Sequence, residues 1–214
     1  MLAIWYGGTF DPVHDGHLAI ARAAADTFGV PVTLAPSADP PHRGVPGADA
    51  SQRAHMLDLA VAGDRRLRVD RRELRRPGPS WTVDTLRDLR GERGAAAPLA
   101  LLVGADSFRS LPTWHEWRRL PALAHFIVAA RATDDDLGEL PAELAGEVAG
   151  RWTDDPRRLA TAPAGCCYAL RQPLRGESAT AVRRAIAAGD PAWRTQVPAA
   201  VAGYIDGEGL YRAS

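Results

Sequence analysis

The stretch GGTFDPVHDGH, residues Gly7–His17, decides the fold of this 214-residue chain. It follows the apolar run Leu2–Tyr6, which is typical of a first β-strand, and it leads into a segment whose apolar residues recur at helical spacing. Ligands of open parallel sheets lie beyond the carboxyl ends of the strands, which is where this stretch falls. Gly7 and Gly8 let the backbone approach a ligand closely. The sequence therefore predicts a ligand site on the turn between the first strand and the first helix.

The end of the stretch indicates that the ligand is a phosphate. Gly16 and His17 open the following helix, whose free N–H groups and dipole favour an anion. His14 lies one turn before His17, so both imidazoles can face one spot, and a charge-assisted hydrogen bond from such a ring to a phosphoryl oxygen contributes about 1.5–3 kcal/mol. The GxGxxG dinucleotide motif and the P-loop are absent, and the chain has no lysine. An H-x-x-H pair is also typical of half a zinc site, although no matching second pair is evident in the sequence.

Short apolar runs alternate with helical patterns along the rest of the chain. After the first strand we expect strands at 32–35, 67–69, 99–103 and 126–130, and helices near 18–28, 51–63, 83–89, 178–188 and 198–206. This alternation implies right-handed βαβ units. It predicts an α/β fold: a doubly wound parallel sheet with helices on both faces and a small helical C-terminal part. No linker divides residues 1–214, so we expect a single domain, with an irregular connection at 133–164.

Individual residues mark where several of these helices begin and end. Ser51 is expected to cap one helix, and either Ser80 or Thr82 the next. Gly63 is placed to end the helix that Ser51 begins, and Gly207 to end the last helix. These positions are predictions from residue preference alone.

Composition excludes several classes of function. With 46% hydrophobic and 24% charged residues the chain is globular, and its net charge of zero is unlike a general nucleic-acid binder. No apolar stretch approaches the ~20 residues that span a bilayer, and no basic region precedes the short apolar run at the start. The adjacent Cys166 and Cys167 do not form a CxxC pair and are expected to be reduced core or strand residues. We therefore expect a cytoplasmic protein without nucleic-acid or membrane partners.

The motifs together resemble a known family. Gly7–His17 matches the GGTFDPxHxGH signature of the nucleotidyltransferase superfamily, and the chain looks like a bacterial nicotinate-nucleotide adenylyltransferase. The further motifs, in chain order, are PPHR at 40–43, QR at 52–53 with ML at 56–57, SWT at 80–82, GADS at 104–107, PTW at 112–114, SAT at 178–180 with Arg183, YI at 204–205 and GLY at 209–211. The resemblance covers nearly the whole chain. It implies a Rossmann-like fold and an enzyme of NAD biosynthesis, with ATP and nicotinate mononucleotide as substrates and Mg²⁺ accompanying ATP.

The resemblance also implies roles for individual residues. It places His14, His17 and Arg43 in catalysis. The residues that it places at ATP are Gly7, Gly8, Thr9, Phe10, His14, Gly16, His17, Ser178, Thr180 and Arg183. Those that it places at nicotinate mononucleotide are His42, Arg43, Thr82, Gly104, Asp106, Trp114 and His115. Two residues depart from the family's pattern: relatives often carry a hydrophobic residue where Glu177 stands, and commonly Tyr where His115 stands.

The implied reaction is attack of the mononucleotide's 5′-phosphate on the α-phosphorus of ATP, which releases pyrophosphate. A phosphate monoester is already largely ionised at neutral pH, so no general base is required, and none of the protein's side chains is expected to hold a metal. Other functions stay open at this point: adenylyl transfer to nicotinamide mononucleotide or phosphopantetheine, nucleotide binding without catalysis, and an RNA-charging enzyme, which the short neutral chain disfavours. The sequence leaves the oligomeric state open, a homo-oligomer included.

Overall fold

A computed structural model describes residues 1–38, 47–131, 138–172 and 176–213. The strands are β1 (Ala3–Gly8), β2 (Val32–Pro36), β3 (Leu67–Val69), β4 (Leu99–Gly104), β5 (His125–Arg131) and β6 (Cys167–Gln172). The α-helices are α1 (Asp15–Phe28), α2 (Ala50–Val61), α3 (Arg72–Arg75), α4 (Thr82–Arg93), α5 (Ala105–Arg109), α6 (Leu120–Leu123), α7 (Ala142–Val148), α8 (Arg158–Thr161), α9 (Ala179–Ala187) and α10 (Ala199–Glu208). Single 3₁₀ segments occupy Leu111–Thr113, Trp117–Arg119 and Pro191–Gln196.

Within the described residues one sheet of six parallel strands has the order β3-β2-β1-β4-β5-β6. The chain winds outward in one direction from β1 to β3 and in the other from β4 to β6. A crevice therefore opens where β1 and β4 lie side by side, beyond their carboxyl ends, and this is the usual ligand site of such a sheet. The predicted doubly wound parallel fold is confirmed.

Alternating side chains of the strands face two separate hydrophobic clusters. Ile4 and Tyr6 of β1 pack into a cluster with α1, α2, α9 and α10, whereas Trp5 packs into one with α4, α5, α6 and α7. The sheet is thus covered by helices on both faces, and the C-terminal helices share a layer with α1. Coverage on both faces explains why β4 and β5 are almost wholly apolar.

Several predicted element boundaries are wrong. Strand β1 extends to Gly8, through both glycines of the signature, instead of ending at Tyr6. Helix α2 is capped by Asp49 and not by Ser51: the Asp49 carboxylate accepts from the Gln52 backbone N–H at 2.8 Å, and the Gln52 side chain accepts from the Asp49 N–H at 3.0 Å. This reciprocal capping box outcompetes the serine two residues later. The helix ends at Val61, ahead of the expected Gly63.

The later helices also differ from expectation at their ends. Trp81 is the residue before α4, and no side chain caps that helix, so neither Ser80 nor Thr82 has the predicted role. Helix α10 runs to Glu208 and ends at Gly209, whose φ is +64°, rather than at Gly207. A glycine at this left-handed position carries no Cβ penalty.

The region expected to be irregular contains some regular structure. Residues 138–164 include α7 and α8, and Trp152 forms an isolated parallel bridge to Cys167. The sequence did not indicate strand β6, which begins at Cys167 and pairs with β5. Cys166 and Cys167 are free thiols at and beside this strand, as expected. Burial raises the pKa of Cys167 to about 12, so its thiol is inert.

Candidate active site

The turn after β1 brings the two signature histidines together. The rings of His14 and His17 are stacked, with centroids 3.7 Å apart and planes 29° apart. The backbone N–H of His14 donates to Nδ1 of His17 at 3.3 Å. A neutral His17 ring then carries its proton on Nε2, which makes that nitrogen a donor. The two imidazoles are therefore neighbours, and their facing one ligand stays a prediction.

His14 is buried, with 7% of its surface exposed. Burial lowers its pKa to about 4, and the nearby Glu177 carboxylate opposes the shift. The ring is therefore neutral at pH 7 and would meet a phosphate as a dipole rather than as a cation. Its Nδ1 is buried and has no hydrogen-bond partner among the described residues. A buried polar atom of this kind is unusual in a protein core and is typical of a functional site.

The N-termini of α1 and α9 converge beside these rings. A Cβ at Gly16 would lie 3.0 Å from His14 Nδ1 and 3.6 Å from the carbonyl oxygen of Glu177, which precedes α9. Glycine at position 16 therefore leaves room for the His14 ring and for the approach of the second helix. At the start of α9, Ser178 Oγ accepts from the Ala181 N–H at 3.1 Å. Two helix N-termini so close together produce a positive field that suits a polyphosphate.

The remaining signature residues support the turn from within. The Phe10 ring is buried and packs edge-on against Tyr6 and His17, with centroids 5.5 and 5.0 Å apart, so only its backbone could contact a ligand. Phe10 has a φ of +52°, an uncommon backbone conformation for an aromatic residue. Gly8 lies against this ring, since a Cβ there would be 3.1 Å from it. Gly7 is exposed at the end of the strand, and Thr9 is half-buried.

The other residues predicted at ATP fall on α9. Thr180 is exposed in its first turn, and Arg183 follows one turn later. The Arg183 guanidinium donates to the carbonyl oxygen of Asp11 at 2.6 Å, so it lies against the signature turn. His42 and Arg43 lie outside the described residues.

The other residues predicted at nicotinate mononucleotide follow β4 or open α4. The rings of Trp81 and His115 lie 4.8 Å apart at an angle of 32°, next to Thr82 at the first position of α4. His115 is exposed, with Nε2 3.5 Å from the Glu116 carboxylate. A planar aromatic surface thus lies beside a helix start that no side chain caps. Trp114 is half-buried against the α4–α7 side of the core.

Gly104 ends β4, and a Cβ there would meet nothing within 4 Å, so its backbone faces open space. Asp106 lies in the first turn of α5 with its carboxylate 96% exposed and paired to Arg109. Asp106 does not cap this helix, because Gly104 is the residue that precedes it. The carboxylate projects into solvent, where a ligand hydroxyl can reach it.

A set of buried polar residues behind the turn is missing from the predicted site. Arg53, which is 1% exposed, donates to the carbonyl oxygens of Thr9 at 2.7 Å and Ala48 at 3.2 Å. The buried Asp11 carboxylate accepts from the Tyr211 hydroxyl at 2.8 Å. A sequence signal existed for Arg53, because it shares the α2 stripe of Met56, Leu57 and Ala60 that is otherwise apolar.

Across residues 1–38, 47–131, 138–172 and 176–213, no group of three or more His, Cys, Asp or Glu side chains is placed to hold an ion. Nor does any helix in these ranges have the length and apolar character needed to cross a bilayer.

Comparisons with known proteins identify the family of this chain. A sequence model of the family described as Cytidylyltransferase-like matches residues 5–185. A protein of Stenotrophomonas maltophilia (strain K279a) named "Probable nicotinate-nucleotide adenylyltransferase" is 55% identical over 99% of this chain and 97% of its own length. One of the same name from Xylella fastidiosa (strain M12) is 45% identical over 98% and 96%.

The chain belongs to the nicotinate-nucleotide adenylyltransferase family. It is therefore a nucleotidyltransferase. Two solved structures of Plasmodium falciparum nicotinic acid mononucleotide adenylyltransferase, one complexed with NaAD and one with APC, cover 98% of this chain and 97% and 96% of their own, with TM-scores of 0.74 and 0.72. At 13% identity they establish that this family member has a Rossmann-like fold.

Proposed function

We propose that this protein transfers the adenylyl group of ATP to the 5′-phosphate of nicotinate mononucleotide, giving nicotinate adenine dinucleotide and pyrophosphate. Membership in the family supports the reaction class. The single observation that carries the assignment of the site is the meeting of the α1 and α9 N-termini beside the stacked rings of His14 and His17. This arrangement combines backbone N–H groups, imidazole donors and a nearby arginine at the carboxyl end of β1.

The chemistry needs alignment and charge stabilisation rather than proton transfer. The nucleophilic phosphate has a second pKa of about 6 and is already ionised at neutral pH. In our proposal His17 donates from Nε2 to an oxygen of the α-phosphate, where charge develops in the transition state. The neutral His14 ring packs against His17 and holds it in place, and it offers a second ring nitrogen to the same phosphate.

Flanking phosphates would be held by helix termini and arginines. The N–H groups and hydroxyls at the start of α9 face the β- and γ-phosphates, including those of Ser178 and Thr180. Arg183 supplies the positive charge from the next turn. We also propose that Arg43, together with His42, contacts phosphates of the two substrates.

The nicotinate ring would lie against Trp81 and His115. An indole face binds a pyridine ring well, and the N–H groups at the uncapped start of α4, where Thr82 stands, suit the ring's carboxylate. Trp114 borders this surface, and Asp106 accepts hydrogen bonds from ribose hydroxyls next to the open backbone of Gly104. These contacts would favour the acid over the amide because an amide lacks the negative charge.

Mg²⁺ is proposed as part of the ATP substrate. It prefers oxygen ligands and keeps several waters, so it would be held mainly by the phosphates. We further propose that residues 1–214 act as one nucleotidyltransferase domain located in the cytoplasm, where two free cysteines stay reduced. The proposed mechanism does not depend on the oligomeric state, and it would be the same in a homo-oligomer.

A pyrophosphate-release assay tests the proposal. Purified protein is supplied with ATP, Mg²⁺ and either nicotinate or nicotinamide mononucleotide, and kcat and KM are measured for both. Nicotinate mononucleotide should give the larger kcat/KM. Release of no pyrophosphate with either acceptor would refute the assignment, and a preference for the amide would refute the acid-binding role of the α4 start.

Substitution of His17 tests its place in the reaction. His17→Ala should lower kcat by roughly 100-fold or more, as for loss of a donor to a developing charge, while ATP affinity in direct titration changes little. His55→Ala, at an exposed position on α2, is the matched control. Equal losses of turnover and ATP affinity would contradict a transition-state role.

A further inference from the structure

One buried carboxylate joins four separate segments of the chain behind the proposed phosphate site. Asp11 is 5% exposed and accepts backbone N–H groups from Gly47 at 2.9 Å and Ala48 at 3.1 Å. The same carboxylate accepts the hydroxyl of Tyr211 at 2.8 Å, across 200 positions of sequence. Helix α9 also reaches Asp11, through Arg183. The four segments are thus the signature turn itself, residues 47–48, the chain around Tyr211, and α9.

Arg183 depends on Asp11 for its position. Its Nη1 donates to the Asp11 carbonyl oxygen at 2.6 Å and lies 3.6 Å from the Asp11 carboxylate. The guanidinium therefore makes its short contact to the neutral carbonyl and a longer one to the carboxylate. As long as the carboxylate is engaged by other donors, the charge of Arg183 stays available at the α9 side of the site.

Tyr211 contributes to this arrangement with its ring, which packs over Gly47, as well as with its hydroxyl. A Cβ at Gly47 would lie 2.8 Å from Cδ1 of Tyr211 and 3.6 Å from Cδ of Arg183, so both side chains pack over the bare glycine. Tyr211 has a φ of +63°, a conformation that costs a non-glycine residue free energy and persists where the surroundings hold it. Burial and Asp11 raise the pKa of Tyr211 above its usual range, and Arg183 and Arg53 only partly oppose this, so the phenol stays a donor.

We propose that Tyr211 is a positioning residue for ATP: by donating to the Asp11 carboxylate it holds that carboxylate away from Arg183, and so keeps the Arg183 guanidinium directed at the phosphates. The inference rests on the proposed role of Arg183 at ATP. Without the hydroxyl, the carboxylate loses a donor and draws Arg183 from the carbonyl oxygen into a closer ion pair, which lowers the positive charge offered to the ligand.

Tyr211→Phe tests this role because it keeps the ring over Gly47 and removes only the hydroxyl. Loss of one charge-assisted hydrogen bond in this chain of contacts should raise KM for ATP and the Kd for ATP–Mg²⁺ roughly three- to tenfold. KM for nicotinate mononucleotide should be unchanged. Tyr204→Phe is the matched control, since Tyr204 lies on the adjoining α10 and its ring contacts His55 on the surface. A merely structural role would lower thermal stability without this selective change for ATP.

The double variant Tyr211→Phe/Arg183→Ala decides whether the effect passes through Arg183. In the Arg183→Ala background, Tyr211→Phe should have no further effect on ATP affinity. Additive effects, or a Tyr211→Phe variant with unaltered ATP affinity, would overturn the inference. Gly47→Ala provides a second route: the added Cβ displaces the Tyr211 ring and should raise the Kd for ATP in the same way.

The outcomes separate this inference from the proposed function. ATP affinity is measured by direct titration in the absence of the second substrate, so it is informative whatever the acceptor is. Normal turnover of nicotinate mononucleotide with unchanged ATP affinity in Tyr211→Phe refutes the inference alone. Absence of turnover in the wild type refutes the proposed reaction, while a selective, Arg183-dependent loss of ATP affinity would still support the role of Tyr211.

Discussion

The buried His14 should make the stability of this protein depend on pH in a calculable way. Burial lowers its pKa from 6.5 to about 4, so the folded protein keeps the ring neutral, whereas the unfolded chain takes up a proton near pH 6.5. Below pH 6.5 the unfolded state therefore binds more protons, and the free energy of unfolding falls as the pH falls. The loss grows until the folded protein is itself protonated near pH 4 and is constant below that.

The shift sets the size of the effect. The contribution of His14 to the free energy of unfolding should be lower than at pH 8 by about 0.8 kcal/mol at pH 6 and about 2 kcal/mol at pH 5, with a limit of about 3 kcal/mol. These losses are a large fraction of the stability of an ordinary domain, which is about 5–15 kcal/mol.

Urea unfolding of wild type and His14→Gln at pH 8, 6 and 5 isolates this contribution. Glutamine does not titrate, so the wild type should lose about 2 kcal/mol more than the variant between pH 8 and pH 5. The buried His125, whose pKa burial also lowers, is present in both proteins and cancels in the difference. His55→Gln is the control for exchanging an exposed histidine. Parallel pH profiles for wild type and His14→Gln, or an NMR titration of the His14 ring with a pKa above 6, would refute the neutral ring.

Three further substitutions give separate tests. Arg53→Met should lower the free energy of unfolding by about 3–5 kcal/mol in urea titration, because it removes a buried cation that donates to the Thr9 and Ala48 carbonyl oxygens and interacts with the Asp11 carboxylate; a loss below 1 kcal/mol would count against this. Glu177→Gln should lower KM for ATP roughly two- to fivefold in the pyrophosphate assay by removing a negative charge close to His14; an increase would show that the carboxylate helps binding. Gly16→Ala should reduce kcat with little loss of thermal stability, since the new Cβ would lie 3.0 Å from the His14 ring; unchanged turnover would mean that the ring's position is unimportant.

Local patterns were sufficient for most of the framework. Apolar runs and helical spacing depend on neighbouring residues, and they located β1 to β5 and the longer helices. Strand β6 was missed because its residues, CYALRQ, end in polar side chains and follow no clear helix. Helix ends were placed less well, since Asp49 and Ser51 are both acceptable caps by residue type and only the Gln52 side chain decides between them.

In the candidate site too, some relations between residues could be predicted from local sequence and others could not. His14, Gly16 and His17 could be placed in advance because one turn of helix fixes their relation. The pairing of Trp81 with His115, and of Asp11 with Tyr211, depends on how distant segments pack, and no spacing in the sequence encodes it. Such contacts can be identified only in the folded structure, where the sheet brings distant segments together.

The signature turn therefore has two chemical halves. Its outer half, the rings of His14 and His17 and the start of α1, is the part that we propose meets a ligand. Its inner half is bound to remote parts of the chain, with the Thr9 carbonyl on Arg53 and the Asp11 carboxylate on Tyr211. A turn with glycines and a left-handed Phe10 would not hold two imidazoles at a fixed distance by itself, since loops without such ties open easily. In our proposal the histidines supply the chemistry of the site, and the buried Arg53 and Asp11 maintain its geometry. A substitution at Tyr211 should therefore change the site formed by the signature turn, about 200 positions away in sequence.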